Sequence, residues 1–252
     1  MSTILVTGAS SGIGQSTAVE LARRGTDVIL TYRGNPAGAQ QTVAEIHALG
    51  ATGVALELDT SRIETFPAFV DEVTRVLQDQ FGTDKLDGLV NNAGLSHAAM
   101  FEQMEESPFD QLVDTLFKGP YFLTQALLPV LADGTAIVNT TSSSTNPFDL
   151  SVGYSAYGSV KGAVVVWTRY LAKELSARRI RVNSVSPGPT RTRLGDDGFA
   201  KYPELVGPLA ERTALGRIGE GADVGKVIAS LLSEDSGWIT AQDIEASGGF
   251  NL

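Results

Sequence analysis

The sequence predicts a doubly wound α/β fold, that is, one parallel sheet with helices on both of its faces. Strand-like and helix-like segments alternate along the whole chain, which is typical of consecutive β-α-β units. The strand-like segments are continuous apolar runs, as expected of strands that are covered on both faces. Because no internal repeat and no long linker interrupts this alternation, residues 1–252 are predicted to form a single domain.

The predicted strands are short runs rich in β-branched and other apolar residues, each bounded by turn residues. The first run, ILVT, leads directly into a glycine-rich turn, and the last ends just before a pair of glycines. The predicted strands are residues 4–7, 28–32, 52–58, 86–91, 136–141, 180–186 and 238–246.

The predicted helices have apolar residues spaced three and four apart, as on the buried face of a helix. In the first helix, Ile13 and Leu21 lie on one such face, and Gly25 marks its end. Pro120 predicts a kink in the fourth helix because proline has no backbone N–H to donate. The predicted helices are residues 13–24, 36–49, 66–81, 109–131, 154–176 and 222–232.

Residues 190–216 are the longest predicted irregular stretch, with four glycines and two prolines. They follow the sixth strand of the predicted sheet. In a doubly wound fold, a long loop beyond the carboxyl end of a strand commonly lies over the ligand. We therefore predict that this loop covers the substrate.

The charge and composition exclude several function classes. A formal net charge of −10 disfavours a nucleic-acid partner, which wants a basic face, and also disfavours an acidic carrier protein. The chain has no cysteine and two histidines, so no metal site is predicted. No stretch approaches the roughly 18 apolar residues of a membrane span. The start of the chain has no secretory signal pattern, which predicts a cytoplasmic protein without a membrane partner.

Residues 7–14, TGASSGIG, connect the first strand to the first helix. Gly8 permits a tight turn, Gly12 lets the backbone approach a pyrophosphate, and Gly14 lets helix and sheet pack closely. The amino end of the helix then offers unpaired N–H groups to phosphate. Glycines in an ordinary turn would give the same letters, but this strand–turn–helix context favours dinucleotide binding.

Three further motifs follow this turn: Asn91-Asn92-Ala93-Gly94, Tyr157 with Lys161 four residues on, and Pro187-Gly188. In this order and over nearly the whole length, the chain resembles the classical short-chain dehydrogenase/reductase family. The resemblance implies a Rossmann-like fold, an NAD(P)-dependent oxidoreductase acting on a small-molecule carbonyl or alcohol, and a homotetramer or homodimer. The subunit contact would use the two long helices, at residues 109–131 and 153–176.

Tyr157 and Lys161 are predicted to lie on the same helix face, one turn apart. An ammonium near a phenol is expected to lower the pKa of the phenol. The resemblance makes Tyr157 the general acid and base, and Lys161 a ligand of the nicotinamide ribose. It also implies a catalytic serine that holds the substrate oxygen. The register favours Ser142, with Ser144 as the alternative because the following loop is longer than is usual in the family.

The chain departs from the family pattern in the fourth predicted helix. The family commonly has an asparagine two residues before a Lys-Gly pair, where it anchors a water-linked proton relay. Here Leu116 occupies that place, before Lys118-Gly119. Since leucine cannot hydrogen-bond a water, we expect either a different proton route or slower turnover.

The second strand ends with Tyr32 in the position where NAD-dependent relatives carry a carboxylate, and Arg33 follows. An arginine there pairs with a 2′-phosphate, so the resemblance implies NADP(H), with NAD(H) possible. Asp59 is expected to bond the adenine amino group or, alternatively, to cap a turn. The implied cofactor-binding residues are Gly8, Ser10, Ser11, Gly12, Ile13, Gly14, Arg33, Asp59, Thr60, Asn91, Ala93, Gly94, Tyr157, Lys161, Pro187, Gly188, Thr190 and Thr192.

These observations predict an NADP(H)-dependent oxidoreductase that interconverts a carbonyl and a secondary alcohol by hydride transfer. A 3-oxoacyl carrier-protein reductase and a sugar or polyol dehydrogenase both fit. The alternative is a non-catalytic dinucleotide-binding sensor or scaffold of the same fold, for which Leu116 is the argument.

Overall fold

The central sheet is built from seven parallel strands. The structure is a computed structural model that describes residues 2–252, and of residues 194–197 the backbone alone. Two further short strands, β7 and β8, pair with each other outside this sheet. The strands are β1 (Thr3–Val6), β2 (Asp27–Tyr32), β3 (Gly53–Glu57), β4 (Leu86–Asn91), β5 (Leu131–Thr140), β6 (Arg181–Pro187), β7 (Thr190–Arg191), β8 (Gly219–Glu220) and β9 (Asp243–Ala246).

The strand order in the sheet is β3-β2-β1-β4-β5-β6-β9. The order reverses at β1, where Ile4 pairs with Val28 of β2 on one side and with Gly88 of β4 on the other. Crossovers leave this point in opposite directions, and a crevice opens at the carboxyl ends of the strands. The predicted fold class is therefore confirmed, and the predicted ligand site lies at this edge.

Helices cover both faces of the sheet because successive strand residues point to opposite faces. The helices are α1 (Gly12–Arg23), α2 (Pro36–Ala48), α3 (Phe66–Val76), α4 (Glu106–Val113), α5 (Gly119–Leu127), α6 (Ser155–Glu174), α7 (Leu194–Lys201), α8 (Val206–Glu211) and α9 (Gly221–Leu232). In β1, Leu5 belongs to the apolar cluster under α3, α5 and α6, whereas Ile4 and Val6 belong to the cluster under α1, α2 and α9.

The predicted helix over residues 109–131 is helical up to residue 130, but it is not one regular α-helix. The chain forms α4, a π-helical turn over Asp114–Lys118, then α5, and β5 begins at Leu131. Pro120 accounts for the break, because it has no N–H to donate to the carbonyl of Leu116 in the α-helical pattern. The predicted kink is thus a change of hydrogen-bonding pattern one turn ahead of the proline.

Two other boundaries also differ from the sequence prediction. The stretch predicted as irregular, residues 190–216, contains α7 and α8. The final strand begins at Asp243 rather than at residue 238, since Trp238 is fully exposed and lies in no strand. Among the residues that the structure describes, no helix is both long enough and apolar enough to cross a membrane.

Candidate active site

The glycine turn follows β1 and lies in close contact with the turn after β4. Gly8 and Gly12 have φ of 65° and 60°, a left-handed conformation that favours glycine. A Cβ on Gly8 would lie 2.7 Å from the Cα of Ala93, and a Cβ on Gly14 would lie 2.5 Å from Nδ2 of Asn92. The turn therefore has no room for side chains at Gly8, predicted to make the tight turn, or at Gly14, predicted to allow close packing.

Two residues outside the predicted set join these turns by hydrogen bonds. The hydroxyl of Thr7 accepts from the backbone N–H groups of Asn92 (2.9 Å) and Ala93 (3.0 Å). Nδ2 of Asn92 donates to the carbonyl oxygens of Thr7 (3.0 Å) and Gly8 (3.2 Å). Both residues belong to the motifs that the sequence displays, but only their three-dimensional contact assigns them this task.

The amino end of α1 faces a groove and is open to an anion. Ser11 is the N-cap, and its side chain makes no capping hydrogen bond. The first turn of α1 contains no acidic residue, so its unpaired N–H groups and positive dipole are not neutralised. A cavity of about 490 Å³ is lined in part by Ser11, Gly12 and Thr192, and a Cβ on Gly12 would lie 3.2 Å from that of Thr192. This cradle fits a pyrophosphate.

Other members of the predicted set support this turn. Ser10 accepts a hydrogen bond at its carbonyl oxygen from Nδ2 of Asn35 (3.2 Å), the N-cap of α2. Ile13 packs against the apolar cluster under α1, α2 and α9. These contacts fix the backbone of residues 10–13 at the amino end of α1.

Arg33 and Asp59 lie side by side beyond the ends of β2 and β3. Nη1 of Arg33 is 3.7 Å from Oδ1 of Asp59, and the Arg33 side chain is 56% exposed. Asp59 accepts from both the backbone N–H (3.0 Å) and the hydroxyl (2.7 Å) of Ser61, which is the predicted turn-capping role. Partial burial acts to raise the pKa of Asp59, but these hydrogen bonds and Arg33 outweigh it and hold that pKa below its ordinary value. Thr60, which lies between Asp59 and Ser61 in the chain, is buried.

Asn91 ties the sheet to the helices on one face. Its Nδ2 donates to Oγ1 of Thr124 on α5 (3.0 Å) and to Oδ1 of Asn139 on β5 (2.9 Å). Asn139 in turn donates to Thr168 on α6 (2.9 Å). Asn91 is buried within this network, so its contacts are structural.

Tyr157 and Ser142 form the centre of the candidate site. Tyr157 lies in the first turn of α6, and its side chain interacts with that of Ser142, just beyond β5. Burial raises the pKa of Tyr157 to about 12, and the interaction with Ser142 acts in the opposite direction. The hydroxyl of Ser144 donates to that of Ser142 (2.9 Å), and it is Ser142 that interacts with the phenol.

Lys161 lies one helical turn after Tyr157, with its Nζ 5.9 Å from the centre of the phenol ring. This Nζ donates to the carbonyl oxygen of Thr140 (2.7 Å). Burial lowers the pKa of Lys161 to about 8. The prediction that Lys161 brings the pKa of Tyr157 down is wrong for this structure, because burial of the phenol dominates and the ammonium is directed toward Thr140.

Leu116 lies in the π-helical turn and forms an apolar wall beside Tyr157. It is 3% exposed and belongs to a small cluster with Tyr157 and Val160. Its Cδ2 lies 3.3 Å from where a Cβ on Gly94 would stand. Gly94 therefore leaves room for Leu116 as well as for the cofactor space predicted next to it.

Pro187 and Gly188 complete the edge at the end of β6. Pro187 pairs with Ala246 of β9, and a Cβ on Gly188 would lie 2.7 Å from the Cβ of Ser247. The hydroxyl of Thr190 donates to the carbonyl oxygen of Gly188 (2.8 Å). The residues predicted from the sequence thus gather along the carboxyl edge of the sheet.

This arrangement places a proton donor close to an anion-binding cradle. The phenol of Tyr157 and the hydroxyl of Ser142 can act on one oxygen atom, while the glycine turn can hold a pyrophosphate. Within the described part of the chain, no group of three or more histidine, aspartate or glutamate side chains could hold a metal ion.

Known proteins share this architecture over almost the entire chain. A family profile described as enoyl-(acyl carrier protein) reductase matches residues 8–251. The 3-oxoacyl-[acyl-carrier-protein] reductase FabG of Staphylococcus epidermidis is 34% identical over 253 residues, with 98% of each chain covered. The promiscuous reductase LugOII, which catalyses keto-reduction at C1 during lugdunomycin biosynthesis, aligns with a TM-score of 0.92 and 34% identity, over 99% of this chain and 97% of that one.

A second solved structure was determined with a nucleotide. The angucycline C-6 ketoreductase LanV with bound NADP aligns with a TM-score of 0.91 and 33% identity, over 99% of this chain and 95% of that one. The profile match and the relatives cover the glycine turn, the Tyr157–Lys161 pair and the end of β6 together. The chain therefore belongs to the classical short-chain dehydrogenase/reductase family of oxidoreductases.

Proposed function

We propose that this chain is an NADP(H)-dependent reductase of a ketone, and the reverse dehydrogenase, with Tyr157 as the group that exchanges a proton with the substrate oxygen. The observation that carries the proposal is the pairing of the buried Tyr157 side chain with that of Ser142 at the same sheet edge as the glycine turn. A protein that only binds a dinucleotide does not need a buried phenol and serine at that edge.

Four side chains of the candidate site, those of Ser142, Tyr157, Lys161 and Leu116, each have one task in the proposed reaction. Ser142 donates a hydrogen bond that orients the substrate carbonyl oxygen, and Tyr157 gives its phenolic proton to that oxygen as negative charge develops there. Lys161, one turn away, would hold the ribose next to the nicotinamide in line with Tyr157. The nicotinamide supplies the hydride when it is bound. The apolar wall at Leu116 keeps water from one side of the phenol.

The residues along the carboxyl edge would hold the cofactor. The N–H groups of residues 10–14 would bind the pyrophosphate, and Lys161 would bind the ribose next to the nicotinamide. Pro187, Gly188, Thr190 and Thr192 would border the nicotinamide, and Ala93 and Gly94 would border the space between the two ends. Residues 33 and 59–60 would receive the adenosine.

We infer a preference for NADP(H) from the charge at the end of β2. Arg33 is exposed there, and its partner Asp59 lies at 3.7 Å, long for an ion pair. A 2′-phosphate would compete well for this guanidinium, since phosphate accepts two parallel N–H bonds from arginine. The bound NADP of LanV supports the same choice.

The mouth of the site favours an apolar substrate. The segment between Ser142 and Tyr157 exposes Phe148, Leu150 and Val152, each more than three-quarters exposed. We propose that these three residues, the apolar mouth, contact a ketone with a large apolar ring system. The net charge of −10 opposes an acidic carrier protein, as in the FabG reaction, and an apolar mouth fits a polyol poorly. The ketoreductases LugOII and LanV support this substrate class.

The outer face of α4, α5 and α6 supports the expected homotetramer or homodimer. It exposes aromatic and aliphatic side chains at Phe109, Tyr121, Phe122, Val166 and Tyr170, each at least 38% exposed. A contiguous apolar face on paired helices is typical of a contact between identical subunits. Sedimentation of a monomer at micromolar concentration would contradict this part of the proposal. The cytoplasmic location stays a prediction from the sequence.

The test of the function is a Tyr157→Phe variant measured beside the natural chain. Removal of the hydroxyl alone should lower kcat by about 10²- to 10⁴-fold, the usual contribution of a general acid. The Kd for NADPH, from fluorescence titration, should change less than twofold. Consumption of NADPH is screened with polycyclic aromatic ketones, acyl thioesters and keto-sugars, and Ser142→Ala is compared with Ser144→Ala. Equal turnover by the Tyr157→Phe variant would refute the mechanism.

The non-catalytic alternative is favoured by Leu116 alone, since its apolar side chain replaces the hydrogen-bonding residue of the family relay. Tight NADPH binding without consumption of NADPH on any carbonyl of the screen would support a sensor. Turnover on any of them would exclude it.

A further inference from the structure

Asp149 is a buried carboxylate in the loop between Ser142, just beyond β5, and Tyr157 on α6. It is 7% exposed, although its neighbours on both sides are exposed. The hydroxyl of Ser143 donates to its Oδ2 (2.6 Å), and Nδ2 of Asn251 donates to its Oδ1 (3.1 Å). A buried carboxylate is stable only when hydrogen bonds replace its lost water, so these two donors fix its position.

Ser143 lies directly after Ser142 and begins a short 3-10 turn over Ser143–Thr145. Ser142 is the N-cap of that turn, and its carbonyl oxygen accepts from the N–H (3.0 Å) and the hydroxyl (2.8 Å) of Thr145. Rotation of this turn would carry the hydroxyl of Ser142 away from Tyr157. The bond from Ser143 to Asp149 restrains the turn at its first residue.

Asn251 holds the other oxygen of Asp149 and is itself fixed by Arg212. Nε of Arg212 donates to Oδ1 of Asn251 (2.9 Å), and the N–H of Asn251 donates to the carbonyl oxygen of Arg212 (2.9 Å). The guanidinium carbon of Arg212 also lies 4.8 Å from the centre of the Phe250 ring. Arg212 follows α8 directly, so this chain of contacts begins in the stretch predicted to cover the substrate.

We propose that Asp149 is a positioning residue for Ser142, and that Asn251 joins it to the end of the covering stretch at Arg212. The inference rests on the proposed function, in which Ser142 orients the substrate oxygen. Asp149 touches neither substrate nor cofactor and acts through Ser143. A displacement of about 1 Å at a catalytic group lowers a rate by about 100-fold, which makes this restraint important for turnover.

The test compares Asp149→Ala with a matched control, Asp27→Asn. Asp27 is a buried carboxylate of similar exposure (8%) that accepts from the N–H of Thr52 (2.7 Å) at the opposite edge of the sheet. Asp149→Ala and Ser143→Ala should each lower kcat by about 10- to 100-fold, with the Kd for NADPH changed less than twofold. Asp27→Asn should lower the thermal midpoint without lowering kcat. Asn251→Ala should reproduce the kcat loss in part.

A double-mutant cycle separates positioning from general loss of stability. Because Ser143 and Asp149 act through one bond, the double variant should lose no more activity than the worse single variant. If the fold-losses in kcat of the two single variants instead multiply in the double variant, the proposal is overturned. An unchanged kcat in a folded Asp149→Ala variant, or a kcat loss in Asp27→Asn equal to that in Asp149→Ala, would also overturn it.

A readout without turnover distinguishes failure of this inference from failure of the proposed function. Amide hydrogen exchange of residues 143–146 reports the serine turn directly. It should accelerate at least tenfold in Asp149→Ala and in Asn251→Ala, and stay unchanged in Asp27→Asn. If the natural chain reduces no carbonyl, the proposed function fails, while this exchange result still decides whether Asp149 and Asn251 hold Ser142. Unchanged exchange in both variants would overturn the inference.

Discussion

Lys161 is the residue whose replacement most directly tests the energetics of the site. Its ammonium is buried, and burial lowers its pKa from 10.5 to about 8. Since one pKa unit corresponds to about 1.4 kcal/mol, the folded state disfavours this charge by about 3 kcal/mol relative to the unfolded chain. A neutral side chain of similar shape should therefore fit the folded state better at pH 7.

The substitution Lys161→Met removes this penalty together with the hydrogen bond to Thr140. The lost bond costs about 1–2 kcal/mol, which leaves a net gain in the free energy of unfolding of about 1–2 kcal/mol at pH 7. For a chain of this size the thermal midpoint should rise by about 2–8 °C. Turnover should be lost in the same variant, so stability and activity change in opposite directions.

The pH dependence gives the sharper test. The unfolded chain keeps the Lys161 proton up to about pH 10.5, whereas the folded chain releases it near pH 8. Between these values the unfolded state binds more protons, so the natural chain gains stability as pH rises and the variant does not. The advantage of Lys161→Met should thus be full at pH 7 and small by pH 9.5.

Thermal unfolding followed by circular dichroism between pH 7 and pH 9.5, without cofactor, measures this difference. Lys173→Met is the control, since Lys173 lies on the same helix and is exposed. It should show no pH-dependent advantage. A Lys161→Met variant that melts below the natural chain at pH 7, or whose difference does not vary with pH, would refute the reasoning.

Two further predictions concern the cofactor preference and the start of α9. Arg33→Ala should raise the Kd for NADPH at least tenfold and that for NADH less than twofold, because only the 2′-phosphate meets the guanidinium; parallel losses in fluorescence titration would contradict the assignment. The hydrogen bond from Arg217 is the main reason why the pKa of Asp223 is lowered to about 2, and Asp223 also caps α9. The stabilisation from the ionised Asp223 is complete above pH 3.8 and is lost as pH falls through 2. Asp223→Asn should therefore lower the free energy of unfolding by about 1 kcal/mol at pH 7, after allowance for exposure, and by little at pH 2. Equal losses at both pH values in urea unfolding would count against this assignment.

The sequence predicted those parts of the site that depend on local pattern. The glycines of residues 8–14 mark the turn because only glycine tolerates the left-handed φ and the contact with Ala93. The spacing of Tyr157 and Lys161 likewise fixes their proximity on one helix. Burial sets the pKa values of both groups, and burial depends on packing between elements that no local pattern encodes.

Other features depend on contacts between distant residues, and the sequence did not predict them. Trp238 has a residue type favoured in strands, yet it is fully exposed because pairing with β6 begins at Asp243. Pro120 predicted a kink, but the extent of the π-helical turn depends on how α4 and α5 pack on α6. Asp149 and Asn251 are 102 positions apart, and neither belongs to a recognisable motif.

That separation has a consequence for the order in which contacts can form during synthesis. The glycine turn and the turn after β4 both lie within residues 7–94, so their contact can form before the later strands are synthesised. Asn251 is translated 102 positions after Asp149, its hydrogen-bond partner. The two turns can therefore meet well before Asn251 restrains Asp149 and, through Ser143, the serine turn.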